Sequence, residues 1–232
     1  MVLVWIIVIG LLVGLIIAGT AYRRVTNIVN KYSQVDCTIG IKCVDFVAKC
    51  IESFDLDCKI ALTDKVMSDA YILSKKIIVL NKQTAESCSI SAIAISAHEI
   101  GHAIQHKNKN FLLRLDMFFR KLYAILKIFV IPVFIAGIVL LFFENLINIG
   151  LILLASLVLV WLLSIITRLA TIPMEVQASK IAYDILKDNR VLTRAELKQT
   201  KKILNAAALT YVGALFINIL NLFRKIENSF RR

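Results

Sequence analysis

Residues Ala97–His106 read AHEIGHAIQH and contain all three histidines of this 232-residue chain. His98 and His102 are four positions apart, so on an α-helix they share one face and lie roughly 6 Å apart along the axis. Glu99 stands beside the first histidine. Small and apolar residues lead into the stretch from Ala92 onward, which is typical of a buried helix. The sequence therefore predicts a core built around a helix that carries two imidazoles and a carboxylate.

The spacing of these side chains suggests a metal site. Two imidazoles four residues apart on a helix can converge on one Zn²⁺ at Zn–N distances of about 2.0–2.1 Å. With Glu99 between them they form the H-E-x-x-H pattern of zinc hydrolases, in which the glutamate handles a proton of water. The alternative is a histidine pair that only packs in a helix core. The β-branched run KKIIVLN before the helix favours the metal site over that alternative.

His106 does not extend the pattern to a third ligand. It lies eight residues beyond His98, so a continuous helix places it roughly 12 Å further along the axis. Zinc peptidases that take a third histidine from this region turn the chain at a glycine, and no glycine follows Gly101 before His106. We expect His106 to be a second-shell or surface residue, and the third ligand to come from elsewhere in the chain.

The composition predicts a mainly α-helical, multi-pass membrane protein. The chain is 59% hydrophobic and has a mean hydropathy of +0.77, which is too apolar for an ordinary soluble domain. A membrane-spanning helix needs roughly 20 apolar residues. Four stretches without charged residues approach or reach this length: Met1–Tyr22, Ile128–Phe143, Asn145–Thr167 and Ile203–Phe223.

The distribution of basic residues predicts the orientation in the membrane. Arg23 and Arg24 follow the first apolar stretch and no positive charge precedes it, which favours a retained anchor with its N-terminus outside over a cleaved signal peptide. Residues 22–127 and 168–202 then lie in the cytosol and hold 16 and 8 of the 28 Lys and Arg residues, whereas 144–150 holds none. The net charge of +12 is therefore attributed to topology and contact with anionic lipid, and nucleic acid is not an expected partner. Five cysteines without a CxxC pair fit a reducing cytosol.

Glu175 is the best candidate for the third ligand. It lies on the predicted cytosolic side among apolar and small residues, whereas Glu144 falls in the opposite connection and Glu196 is expected to face solvent. An acid close to a helix start after Thr171–Pro173 has another explanation, because it would interact with the helix dipole by about 0.3–1 kcal/mol. Ser179, four residues after Glu175, is a candidate hydrogen-bond partner of the site.

Taken in order, these features resemble the YugP-like neutral zinc metallopeptidases of bacterial membranes. The resemblance covers nearly the whole chain and rests on the N-terminal anchor and four segments: DAYILSKKIIVLN (Asp69–Asn81), AISAHEIGHAIQH (Ala94–His106), IPMEVQASKIA (Ile172–Ala182) and LNAAALTYVGALFINILNL (Leu204–Leu222). It implies His98, His102 and Glu175 as zinc ligands and Glu99 as the catalytic base. It also implies a small α+β, gluzincin-like core on the cytosolic side, held by several membrane helices.

The resulting expectation is a membrane-bound zinc endopeptidase of the cell membrane whose active site faces the cytoplasm. Three protein ligands leave zinc one position for water, whose pKa can fall to about 7, and Glu99 would act as general base on it. Tyr183 or Tyr211 could supply a second oxyanion donor. The expected substrate is a peptide or membrane protein. The alternatives are a non-catalytic scaffold with a structural zinc site and a transporter, which the lack of ionisable residues in the apolar stretches disfavours.

The domain organisation follows from these assignments. Leu56–Leu62 and Tyr71–Leu80 are expected to form a strand hairpin, and Lys76–Leu80 could pair edge-on with an extended substrate. The predicted segments are an N-terminal transmembrane helix (1–22), a cytosolic peptidase region with the hairpin and the HExxH helix (23–121), a transmembrane helical hairpin (122–167), a cytosolic helix with the third ligand (168–202), a membrane-spanning or interfacial helix (203–223) and a basic tail (224–232). The oligomeric state is not assigned.

Overall fold

The computed structural model describes residues 19–20, 23–24, 26–65 and 69–206. The predicted N-terminal span and the predicted helix 203–223 lie almost wholly outside these residues, as does the basic tail. The chain divides into two compact units, which are treated separately below. One is formed by Met1–Asn110 and Glu175–Arg232, and the other by Phe111–Met174.

The described residues are mainly helical with one small mixed sheet, as the sequence predicts for the fold class. The elements are α1 (Cys43–Ser53), β1 (Lys59–Thr63), β2 (Ala70–Ile72), β3 (Ile77–Asn81), α2 (Lys82–Glu86), α3 (Ile90–Lys107), α4 (Phe111–Leu140), a 3₁₀ turn (Glu144–Leu146) and α5 (Ile147–Asp188). Residues 26–33 and 194–206 are also helical.

The three strands form a sheet in the order β1-β3-β2, with β1 parallel and β2 antiparallel to β3. The predicted hairpin between Leu56–Leu62 and Tyr71–Leu80 is therefore wrong, because β1 and β3 pair in parallel. The hairpin lies within the second stretch, because the chain turns between β2 and β3 through Lys76, which has a φ of +52°. Since β3 has a neighbour on both sides, Lys76–Leu80 offers no free edge for a substrate.

Helix α3 forms the buried centre of the first unit. It begins at Ile90 because Ser89 has extended backbone and its hydroxyl caps the helix, accepting from Ala92 N–H at 3.2 Å. The side chains of Ile93, Ala97 and Ile100 have no exposed surface. The buried helix that the sequence predicts around the histidines is confirmed.

The second unit, Phe111–Met174, contains α4 and the greater part of α5. Both helices are long and apolar enough to cross a membrane, and only 6% of the most apolar window of each is buried within the protein. They pack closely at two glycines, since a Cβ added to Gly150 would lie 2.8 Å from the Gly137 carbonyl oxygen. Near the other end of the pair, the Thr171 hydroxyl donates to the buried Asp116 carboxylate at 2.7 Å, and Arg120 Nε does so at 2.6 Å.

Helix α5 runs from Ile147 to Asp188 without a break, and Pro173 lies inside it. The prediction of a new helix opened by Thr171–Pro173 is therefore wrong. Proline removes its own N–H from the ladder and crowds the preceding turn, but the helical backbone continues on both sides of it. Glu175 consequently lies in a helix interior, where the dipole of a helix N-terminus cannot explain it.

Candidate metal centre

Three buried side chains converge between α3 and α5. The carboxylate oxygen Oε2 of Glu175 lies 3.0 Å from His98 Nε2 and 3.3 Å from His102 Nε2. The two imidazole rings stand edge to face with centroids 4.7 Å apart. The sequence places the two histidines one helical turn apart, and α5 brings the carboxylate to both of them.

Gly101 permits this approach of the two helices. A Cβ built on Gly101 would lie 2.5 Å from the Ala178 carbonyl oxygen and would also crowd the Ala178 carbonyl carbon and Cα. These are backbone atoms that cannot rotate away. Gly101 therefore allows α5 to come close enough to α3 for Glu175 to reach the imidazoles.

The donor set fits a zinc ion. One donor atom from each of His98, His102 and Glu175 lies within 4.8 Å of the other two. Two ligands of a tetrahedral zinc ion, at bond lengths of about 2.0–2.1 Å, lie about 3.3 Å apart, which is close to the two separations measured from Glu175 Oε2. Two neutral imidazoles and one carboxylate are also the ligand types of catalytic zinc sites.

Hydrogen bonds behind the imidazoles orient both rings. His98 Nδ1 lies 3.2 Å from the Ser179 hydroxyl, and His102 Nδ1 lies 3.0 Å from Gln105 Oε1. The Gln105 amide in turn donates to Gln177 Oε1 at 3.0 Å. When each Nδ1 carries the proton of a neutral ring, each Nε2 has a free lone pair directed toward Glu175. Ser179 occupies the supporting position that the sequence predicts for it.

The electrostatics of the cluster favour a cation. Hydrogen bonds from the two imidazoles lower the pKa of Glu175 to about 2, although burial acts in the opposite direction. Burial would lower the pKa of His102, but its hydrogen bond to Glu175 and the charges of Glu175 and Glu99 raise it. The Glu175 carboxylate is therefore held as an anion at a buried position, where a divalent cation could bind to it.

Glu99 is held beside the cluster by the backbone of the sheet. The Tyr71 N–H in β2 donates to Glu99 Oε2 at 2.6 Å. Burial raises the pKa of Glu99 above the ordinary value of a glutamate, and the neighbouring imidazoles and the Tyr71 N–H only partly oppose it. A carboxyl group with a raised pKa can both accept and return a proton near neutral pH.

Neither His106 nor Tyr183 belongs to the cluster of candidate ligands. His106 contacts the Tyr71 phenol and is not one of the clustered ligands. Tyr183 lines a cavity of about 340 Å³ together with Ser179, and Tyr211 lies outside the described residues.

Glu196 does not face solvent, so that prediction is wrong. Its side chain is buried, and its carboxylate accepts hydrogen bonds from the backbone N–H groups and hydroxyls of Thr38 and Thr193 at 2.6 to 2.8 Å. The sequence TRAE, from Thr193 to Glu196, matches a helix capping box and is the signal that could have revealed this.

Gln105 was missed because an apolar helix with a single buried amide gives no distinctive pattern. The only signal was its spacing, since a residue three positions after His102 lies on the same helix face. Tyr71 was missed because the sequence does not indicate which backbone N–H groups of an edge strand face a helix.

Comparison with known proteins identifies the family of this chain. Residues 5–229 match the family described as "putative neutral zinc metallopeptidase". The chain is 29% identical over 207 residues to the "Putative membrane protease YugP" of Bacillus subtilis (strain 168), and the match covers 88% of each protein. No solved structure matches the chain. The resemblance inferred from the sequence is confirmed, and the chain belongs to this family of neutral zinc metallopeptidases.

Proposed function

We propose that this protein is a membrane-bound zinc endopeptidase that hydrolyses peptides or membrane proteins at the cytosolic membrane face. The observation that carries the proposal is the convergence of His98 and His102 on Glu175, with the Glu99 carboxylate fixed alongside. These residues correspond to three ligands and a general base. A bound zinc ion would supply Lewis-acid chemistry, polarising a carbonyl oxygen and acidifying water.

The protein residues account for the proton transfers. Glu99 accepts a proton from the attacking water and later delivers it to the leaving amine, so one carboxylate acts first as base and then as acid. The Tyr71 N–H fixes Glu99 Oε2 and thereby sets the orientation of the carboxylate. Burial favours this exchange because it raises the pKa of Glu99.

A scaffold with a structural zinc site is the alternative function. Structural zinc sites are normally closed by four protein ligands, whereas the ligand cluster in the described part of the chain has three members. A structural site would also have no use for a buried carboxylate beside its first ligand. Both observations favour the enzyme.

Metal content and cleavage of an internally quenched peptide library test the proposal on purified protein. We expect about one zinc ion per chain in the wild type. Glu99→Gln should retain the metal and lose roughly 10²–10⁴-fold in turnover, the range typical of general acid–base catalysis. Glu175→Ala should lose both. Zinc binding without any cleavage, and with no effect of Glu99→Gln, would support the scaffold instead.

The membrane arrangement needs its own test. We propose that the apolar parts of α4 and α5, within residues 122–167, cross the bilayer as a hairpin and that the metal centre lies on the cytosolic side, in line with the excess of Lys and Arg in residues 22–127 and 168–202. In a cysteine-free background, Lys49→Cys should react with an impermeant maleimide only in inverted vesicles. Phe142→Cys, in the exposed connection between the helices, should react only in right-side-out vesicles. The opposite labelling pattern would reverse the proposed topology.

A further inference from the structure

Tyr71 contacts helix α3 at two points with different parts of the residue. Its backbone N–H donates to Glu99 Oε2 at 2.6 Å, and its phenol oxygen lies 2.7 Å from His106 Nδ1. Glu99 and His106 are seven residues apart, which places them on one face about two turns from each other. A single residue of β2 therefore connects the candidate general base to the third histidine of the AHEIGHAIQH stretch.

The phenol and His106 share one hydrogen bond, in which the imidazole tautomer decides which group donates. Burial raises the pKa of Tyr71 to about 12, with smaller contributions from Cys58 and Asp57, so the hydroxyl keeps its proton near neutral pH. It donates to Nδ1 when the neutral imidazole carries its proton on Nε2, and it accepts from Nδ1 in the other tautomer. The two rings lie 5.9 Å apart between centroids at an angle of 60°.

Strand β2 needs an anchor of this kind. It has three residues and pairs with β3 along one edge only, so few ladder hydrogen bonds fix its position. The Tyr71 N–H points away from that ladder and toward Glu99. A shift of β2 relative to α3 would change the geometry at the carboxylate, and a 1 Å error in positioning can cost about 10²-fold in rate.

We propose that His106 is a positioning residue of the peptidase: it holds the Tyr71 phenol so that the Tyr71 backbone N–H fixes the Glu99 carboxylate. The kinetic consequence rests on the proposed function. The contacts themselves do not require metal or turnover, so they can be tested separately.

Lys107 provides a matched control for general loosening of the α3 end. Its ammonium donates to the carbonyl oxygens of Phe54 and Asp55 at 2.9 and 2.7 Å, and to the Asp55 carboxylate at 2.9 Å. These bonds attach the same helical turn to a loop and do not involve β2. Lys107→Ala therefore reports the cost of weakening the helix end without altering the contact with Tyr71.

The first measurement is amide hydrogen exchange in metal-free protein labelled with ¹⁵N-tyrosine. The chain has six tyrosines, and the Tyr71 resonance is identified by its loss in Tyr71→Phe. We expect His106→Ala to speed exchange at Tyr71 about 10-fold, the factor expected for one lost hydrogen bond. His106→Asn, whose amide oxygen can accept from the phenol, should stay close to wild type, as should Lys107→Ala. Unchanged exchange in His106→Ala, or equal acceleration in Lys107→Ala, would overturn the proposal.

The second measurement is peptide hydrolysis by the zinc-loaded protein. His106→Ala should lower kcat about 10-fold, with KM and zinc content within about twofold of wild type, and His106→Asn should restore most of the loss. Combining Tyr71→Phe with His106→Ala should cost no more than either change alone, because both remove the same bond. An unaltered kcat in His106→Ala would refute the positioning role. A wild type that cleaves nothing would refute the proposed function, and hydrogen exchange would still decide whether His106 holds Tyr71.

Discussion

Two buried glutamates of this protein, Glu175 and Glu196, each have a pKa lowered to about 2. They are 4% and 7% exposed, and burial alone would raise both pKa values. Glu175 is stabilised as an anion by two imidazoles at 3.0 and 3.3 Å. Glu196 is stabilised by the N–H groups and hydroxyls of Thr38 and Thr193.

The two sites differ in whether their hydrogen-bond donors can also bind a metal ion. An imidazole that gives up its proton becomes a metal ligand, so the partners of Glu175 can turn their lone pairs toward the same cation that the carboxylate binds. Amide N–H groups have no such second role. Here they donate to the Glu196 carboxylate, which completes the capping box at the start of the helix of residues 194–206 and attaches that helix to the backbone of Thr38. A lowered pKa thus marks a buried carboxylate that accepts several hydrogen bonds. The identity of the hydrogen-bond donors distinguishes a candidate metal site from a structural site.

The largest expected contrast is in metal binding. Glu175→Ala removes one of the three candidate ligands and should weaken zinc binding by more than the 10- to 100-fold that loss of a supporting residue costs. Glu196→Ala should leave zinc affinity within about threefold of wild type, because the capping box lies apart from the cluster. Competition titration with a zinc chelator measures both affinities. Comparable losses of zinc affinity in the two variants would show that the two glutamates do not differ in this way.

The residues behind the imidazoles should have intermediate effects. Gln105→Leu removes the acceptor of His102 Nδ1 at similar volume and is expected to weaken zinc binding by about 10- to 100-fold. Gln177→Leu removes only the hydrogen bond that Gln105 donates to Gln177, so it should weaken zinc binding less. The same chelator titration ranks the two variants, and an equal or inverse ranking would show that Gln105 does not orient His102.

Gly101→Ala tests the close approach that brings Glu175 to the histidines. Alanine normally stabilises a helix interior by about 1 kcal/mol relative to glycine. Here its Cβ would collide with the Ala178 carbonyl, so we expect destabilisation by about 1–3 kcal/mol together with weaker zinc binding. Denaturant unfolding of the metal-free protein measures the first effect. A stabilised variant would mean that α3 and α5 separate easily.

The smallest expected effect concerns acid stability. The pKa of Glu196 is about 2 in the folded protein, below the 4.5 that is usual for a glutamate. Its contribution to the free energy of unfolding is therefore complete above about pH 4.5 and is lost as the pH falls toward 2. Glu196→Gln should lower stability at pH 7 by roughly 1–3 kcal/mol and flatten its dependence on pH below 4.5. Unfolding curves at stepwise lower pH provide the measurement, and parallel profiles for variant and wild type would exclude this role.

The central helix and the placing of its two histidines could be predicted from the sequence because they depend on local spacing. The separation of His98 and His102 fixes their common face on any α-helix, and the small residues before them indicate burial. Glu175 could be proposed from its apolar neighbours and its predicted side of the membrane. These arguments use a few adjacent residues or a pattern of charge.

The features that escaped prediction depend on tertiary contacts. Pro173 favours a helix boundary locally, but α5 continues through it. The parallel pairing of β1 with β3 joins segments whose periodicity is equally compatible with a hairpin. The bond from Tyr71 N–H to Glu99 follows from which edge of β2 faces α3, and no residue pattern encodes that choice.

The order of the ligands along the chain has a consequence for biosynthesis. His98 and His102 precede the apolar helices of Phe111–Met174, and Glu175 follows them immediately. Because the chain is made from its N-terminus, a nascent protein that has only reached α3 holds two of the candidate ligands and Glu99 but not the complete cluster. The third ligand arrives only after both long apolar segments have been synthesised. Translation itself therefore delays assembly of the proposed metal centre until both apolar segments have been synthesised.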